Sequence, residues 1–219
     1  MSCNLYQSPI DLKKSDITFN ISQKLKLYGE NKYSKLNEKK IFVLKDKVIL
    51  KVDYKKYILV EYHFHHFENL EGCSGSEHAL DGHKFDAEIH YVFSELNEHC
   101  ELNEHCELNE DQIYDKDVDI CSGKVPKDEN FLVIGRFIKF ANKNKKDLHK
   151  VQVKLPNKYF EYDGALTGED SLGVVDCAPV RWLVDPCPIK FSEKDFTKEN
   201  TKTTRCLQSL DGRLILYSC

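Results

Sequence analysis

The feature that most constrains this chain is a period of two. Residues 48–60 (VILKVDYKKYILV) alternate and run on into Glu61-Tyr62-His63-Phe64-His65. Residues 85–93 (FDAEIHYVF) alternate in the same way. Such alternation, carried by β-branched and aromatic side chains, marks strands with two distinct faces. Residues 131–140 (FLVIGRFIKF) form a near-continuous apolar run, as expected of a strand buried on both faces. Segments 179–189 and 213–217 read as further strands. Helical periodicity is scarce, and only short stretches around 193–196 and 142–149 favour a helix. The expected fold is mainly β, with a large sheet and long loops. A chain of 219 residues suits one sizeable core, so a single domain over 1–219 is expected.

Residues 96–110 interrupt this pattern with a direct repeat, LNEHC-E-LNEHC-E-LNE. Its six-residue period matches no solenoid unit, and it lacks an apolar face. It reads as an exposed loop insertion. The net charge of -4 gives no basic face for nucleic acid, and the lysine-rich stretch at 139–150 is broken by acids and asparagines. No apolar run approaches the roughly 20 residues of a spanning helix. Met1-Ser2-Cys3-Asn4 shows neither the basic nor the apolar region of a secretory signal. These signs read as a cytoplasmic protein, with a virion as the alternative. The nine cysteines, odd in number and irregular in spacing, then read as mostly reduced thiols.

Within the two alternating strands lies a set of metal-type ligands. His63 and His65 sit at i and i+2, so a strand turns both to one face. Glu88 and His90 share a face of the second strand in the same way. Antiparallel pairing of the two strands would bring His90 to His63 and His65. Three neutral imidazoles leave a fourth tetrahedral position open, the pattern of a catalytic rather than a structural zinc site. Glu88 would then accept the remaining ring N–H of His90 and fix its tautomer.

Several segments resemble those of the α-class carbonic anhydrases, and in that family's order. Gln7-Ser8-Pro9-Ile10-Asp11 resembles its QSPI[DN] segment, and Tyr62-His63-Phe64-His65 its FHFHW strand. Gly75-Ser76-Glu77-His78 through Asp81-Gly82 resembles G-S-E-H-x-x-[DN]-G, and Ala87-Glu88-Ile89-His90-Tyr91-Val92 resembles A-E-[LM]-H-[LV]-V. Residues 131–137, Tyr162-x-Gly164-Ala165-Leu166-Thr167 and Arg205-x-x-Gln208 continue the match. The resemblance implies a large central, mostly antiparallel twisted sheet with a few short peripheral helices. It implies one zinc ion on His63, His65 and His90, with Glu88 and Glu61 behind the ligands. Thr167 would orient a zinc-bound hydroxide, Glu77 would take the threonine proton, and Val92, Val133, Leu166 and Trp182 would line an apolar pocket. The implied activity is the reversible hydration of carbon dioxide to bicarbonate, with small molecules as the only implied partners.

The pattern is also broken in places. Glu61 stands where the family commonly has Gln, and His66-Phe67 replaces Trp-Gly. Gly168-Glu169-Asp170 replaces Thr-Pro-Pro after the gatekeeper, and residues 43–48 lack the proton-shuttle histidine. His66 falls on the strand face opposite His63 and His65. The alternative reading is a catalytically weak or inactive relative kept as a binding module, for example for glycosaminoglycans. That use would call for a concentrated basic face, which the sequence lacks, and would not call for the three histidines it keeps.

Overall fold

The computed structural model describes residues 7–44, 46–96, 130–169 and 175–218, with side chains at 166–169 and 175–178 left out of the description. In chain order the strands are β1 (Asp11–Leu12), β2 (Ile17–Ile21), β3 (Leu25–Tyr28), β4 (Ser34–Leu36), β5 (Phe42–Leu44), β6 (Ile49–Val52), β7 (Lys55–Phe67), β8 (Ala79–Leu80), β9 (Ala87–Glu95), β10 (Phe131–Phe140), β11 (Tyr159–Glu169), β12 (Val175–Phe191), β13 (Lys202–Thr203) and β14 (Ile215–Ser218). The main path through the large sheet runs β2-β14-β11-β12-β10-β9-β7-β5-β4, with β6 and β13 also on β7 and β3 on β6. Most of its pairings are antiparallel. β10–β12, β13–β7 and β14–β2 are parallel, so the sheet is mixed.

The described residues contain no α-helix. Three short 3-10 turns occur instead, at Lys14–Asp16, Leu148–Lys150 and Glu193–Asp195. The expected helix at 193–196 is thus one 3-10 turn, closed by reciprocal Ser192 and Asp195 capping bonds. The 142–149 stretch is extended coil until Leu148, whose side chain enters the core. The long strand read from residue 48 is in fact a hairpin. Ile49–Val52 turns back at Asp53 and Tyr54, so that Val52 pairs with Lys55. Asp53 adopts φ 55°, a left-handed conformation that aspartate tolerates better than most residues. The repeat at 97–110 lies outside the described residues.

β7 carries the most consequential local feature. Leu59 pairs with Phe93 of β9, whereas Glu61 pairs with Val92, leaving Val60 as an extra residue. This bulge resets the alternation. Tyr57 and Leu59 before it, and Tyr62 and Phe64 after it, all enter one apolar cluster. Odd positions therefore face that core before Val60 and even positions face it afterwards, because a one-residue insertion exchanges the faces of a strand. His63 and His65 are turned to the other side. On β9, Ala87, Ile89, Tyr91 and Phe93 join the same core, which turns Glu88 and His90 with the histidines of β7.

Cys73 and Cys206 are joined by a disulfide across 133 residues. The expectation of mostly reduced thiols fails at this pair. The loop after β7 and the segment after β13 meet only in the folded chain, so linear spacing gives no sign of the bridge. Among the described residues Cys187 is a free, exposed thiol.

Candidate metal centre

His63 pairs directly with His90 across the antiparallel β7–β9 ladder, and His65 with Glu88. The ring centroids of His63, His65 and His90 lie 4.9–5.3 Å apart. One nitrogen from each ring lies within 4.8 Å of the other two, and all three residues are buried. Tetrahedral zinc with bonds of about 2.0–2.1 Å places its ligand nitrogens roughly 3.3 Å apart. Small closing movements of three rings suffice to reach that spacing.

The second nitrogen of each ring is already engaged. His63 Nδ1 donates to Glu61 Oε1 at 3.1 Å, and His65 Nδ1 donates to the Thr203 carbonyl at 2.7 Å. His90 Nε2 donates to Glu88 Oε1 at 3.0 Å. The acceptors fix the tautomers and leave lone pairs on His63 Nε2, His65 Nε2 and His90 Nδ1. Burial, with the Lys202 ammonium adding to it, holds His63 well below the ordinary histidine range. Burial likewise brings His65 down to about 4. Both rings are therefore neutral near pH 7, the form that ligates metal. The donor set fits zinc: three neutral nitrogens, oriented by outer partners, with no fourth protein ligand among the described residues.

Glu88 anchors more than His90. Its other oxygen accepts the His78 backbone N–H at 2.8 Å, and His78 Nδ1 reaches Oε1 at 2.7 Å. His78 Nε2 lies 2.6 Å from the Tyr162 hydroxyl, which donates to Ser8 Oγ at 3.1 Å. Burial pushes the Glu88 pKa up, but His78 and His90 overcome it and hold the carboxyl well below its usual range. Gly135 of β10, paired with His90, makes room for this carboxylate. A Cβ at Gly135 would lie 2.8 Å from Glu88 Oε1.

Glu77 is buried beside the imidazoles, with Oε1 3.3 Å from His65 Nδ1 and Oε2 4.0 Å from His90 Nδ1. It accepts the Arg205 backbone N–H at 3.0 Å. Thr167 lies in β11 opposite Cys177, and its side chain is outside the described set, as is that of Leu166. Val92 and Trp182 flank Val133 on β9 and β12, and all three belong to the second apolar cluster. The Trp182 ring meets the edge of His90 at 4.9 Å. His66 lies on the aromatic side, donating to the Asp86 carbonyl at 2.7 Å and packing on Phe140 and Phe196. Asp46, in the segment that lacks the shuttle histidine, accepts the Lys32 backbone N–H at 2.6 Å.

Thr203, Arg205 and Gly135 escaped the sequence reading of this site. Thr203 and Arg205 act through backbone atoms, which residue identity does not reveal. Gly135 acts through a side chain it does not have. Lys202 was missed too. The only available signal was an uncompensated Glu61, which asks for a cation somewhere in the fold.

Comparison with known proteins agrees with this geometry. The structure is similar to an α-carbonic anhydrase from Thermovibrio ammonificans solved with sulfanilamide, with TM-score 0.60 and 21% identity over 96% of this chain and 86% of that one. It is similar to the Photobacterium profundum α-carbonic anhydrase, with TM-score 0.62 and 19% identity over 98% and 90% of the two chains. A hyperthermostable carbonic anhydrase from an active hydrothermal vent chimney gives TM-score 0.61 and 20% identity over 98% and 88%. Among curated protein sequences there is no significant match. The model of the eukaryotic-type carbonic anhydrase family matches residues 2–218. With its motifs in order and its sheet of the same fold, this chain belongs to the eukaryotic-type carbonic anhydrase family.

Proposed function

We propose that the protein is a zinc-dependent carbonic anhydrase that interconverts carbon dioxide and bicarbonate. One observation carries this reading. Three buried imidazoles converge, each with its second nitrogen committed to a separate acceptor: Glu61, the Thr203 carbonyl and Glu88. Such triple pre-orientation goes beyond what packing a histidine in a core requires.

His63, His65 and His90 would hold the ion, which when bound lowers the pKa of water into the neutral range, as carbonic anhydrases exemplify. Glu61, Glu88 and the Thr203 carbonyl keep the three rings in one tautomer and orientation. Glu77, its carboxylate held by the Arg205 N–H, is placed to accept a proton from a hydroxyl beside the site. Thr167 is the residue proposed to supply that hydroxyl and to orient the nucleophile. Val92, Val133 and Trp182 present apolar surface on the same side of the sheet, suited to a substrate with no charge to grip. Leu166 is proposed to complete that surface.

The test is stopped-flow hydration of carbon dioxide, with zinc measured on the same sample. The parent should carry about one zinc per chain, and His90→Ala should lose both metal and activity. A parent that is zinc-loaded but inactive would remove the enzymatic reading while leaving the metal site. His99→Ala and His105→Ala, in the repeat, should change neither.

A further inference from the structure

Lys202 is an unusual neighbour for a metal site. It lies in β13, paired in parallel with His65 of β7. Paired residues on neighbouring strands project to the same face, so the lysine leaves the sheet on the side of His63 and His65. Its ammonium is the charged group acting most strongly on both Glu61 and His63, and Glu77 is within its electrostatic reach. Lys39, from the turn between β4 and β5, adds a second positive charge toward Glu61. Yet Lys202 makes no hydrogen bond and no ion pair among the described residues, although it is only partly exposed.

A half-buried ammonium without a direct partner is costly unless something anionic approaches it. Glu61 compensates its charge at a distance but is committed through Oε1 to His63. The charge therefore has capacity left for a ligand. The substrate of the dehydration direction is a small monovalent oxyanion, and it must approach this face.

We propose that Lys202 is an anion-holding residue of the site, gripping bicarbonate or a like-sized monovalent anion beside the three histidines, with Glu61 moderating its strength. This rests on the metal-centre reading above. The pairing of a carboxylate at 61 with an ammonium at 202 then sets anion affinity as a balance of two opposed charges. Removing either should move affinity in opposite directions.

The experiment uses cobalt-substituted protein. Its visible spectrum is titrated with bicarbonate and with thiocyanate, comparing the parent with Lys202→Gln, Lys202→Arg and Glu61→Gln. A charge-assisted contact is worth roughly 1.5–3 kcal/mol, so Lys202→Gln should weaken both anions by about tenfold or more. Lys202→Arg should retain most of the affinity, and Glu61→Gln should raise it severalfold. Equal anion affinity in the parent and in Lys202→Gln overturns the proposal, leaving Lys202 as charge balance for Glu61. Failure of the parent to bind cobalt overturns the metal reading instead. Lys202 is then judged by whether bicarbonate raises the melting temperature of the parent more than that of Lys202→Gln, and no difference sinks it.

Discussion

The two faces of β7 are both buried but are held in different ways. On one face Tyr57, Leu59, Tyr62 and Phe64 pack into an apolar cluster with Phe42, Phe93 and Phe191. On the other, His63 and His65 are buried among polar partners, each with a named acceptor. The aromatic face is held by volume and shape, where many side chains of similar size would serve. The histidine face is held by directional bonds, where each buried polar group needs its own partner. One strand can serve both purposes because the bulge at Val60 aligns the apolar residues on either side of it.

That contrast breaks most severely if the bulge is removed. Deleting Val60 exchanges the faces of one half of β7, driving either imidazoles into the aromatic cluster or aromatic rings into the metal site. The expected result is loss of cooperative unfolding and of near-ultraviolet circular dichroism, with no stoichiometric zinc. Val60→Ala, which keeps the residue count, should fold and bind zinc. A deletion variant that binds zinc like the parent would refute the role given to the bulge.

The aromatic face alone is probed by Phe64→Ala. Phe64 is fully buried, and emptying such a site costs about 3–5 kcal/mol in urea unfolding. The fraction that folds should still take one zinc per chain. His65→Ala should show the reverse, with metal lost and the apolar core intact. If Phe64→Ala abolished zinc binding in folded protein, the two faces would not be separable.

The histidine face should also make stability depend on pH once zinc is removed with a chelator. Burial brings His65 from the ordinary 6.5 down to about 4. Between those values the unfolded chain binds a proton and the folded chain does not. Stability is therefore fully present above pH 6.5 and is lost as the pH falls toward 4. This one group accounts for about 3 kcal/mol. His63 shifts in the same direction. Denaturant midpoints of the metal-free protein at pH 4.5, 5.5 and 7.5 should fall with pH, and a flat profile would show that the rings are not buried neutral.

The smallest effect expected here is on the outer partners. Glu88→Gln keeps the shape but removes the charge that His90 and His78 share. Such changes typically weaken metal affinity by about 10–100-fold. Competition with a chromophoric chelator reads this directly. Unchanged affinity would mean that His90 needs no carboxylate behind it.

Much of this was legible in the chain. The period of two in residues 85–93 and the apolar run at 131–140 correspond to β9 and β10. The i, i+2 spacing of His63 and His65, and of Glu88 and His90, determines that each pair shares a face, because side chains alternate along any strand. Which face that is, and that the two pairs meet, was decided by tertiary structure. The run Ile58-Leu59-Val60 is apolar throughout and so hides the bulge from any alternation pattern. The carbonyl of Thr203, the amide of Arg205, the room left by Gly135 and the bond from Cys73 to Cys206 come from segments far apart in the chain. Local spacing encodes the direction in which a side chain leaves its own strand. The partner it finds depends on which strands pair and in what register, and only the folded sheet sets that.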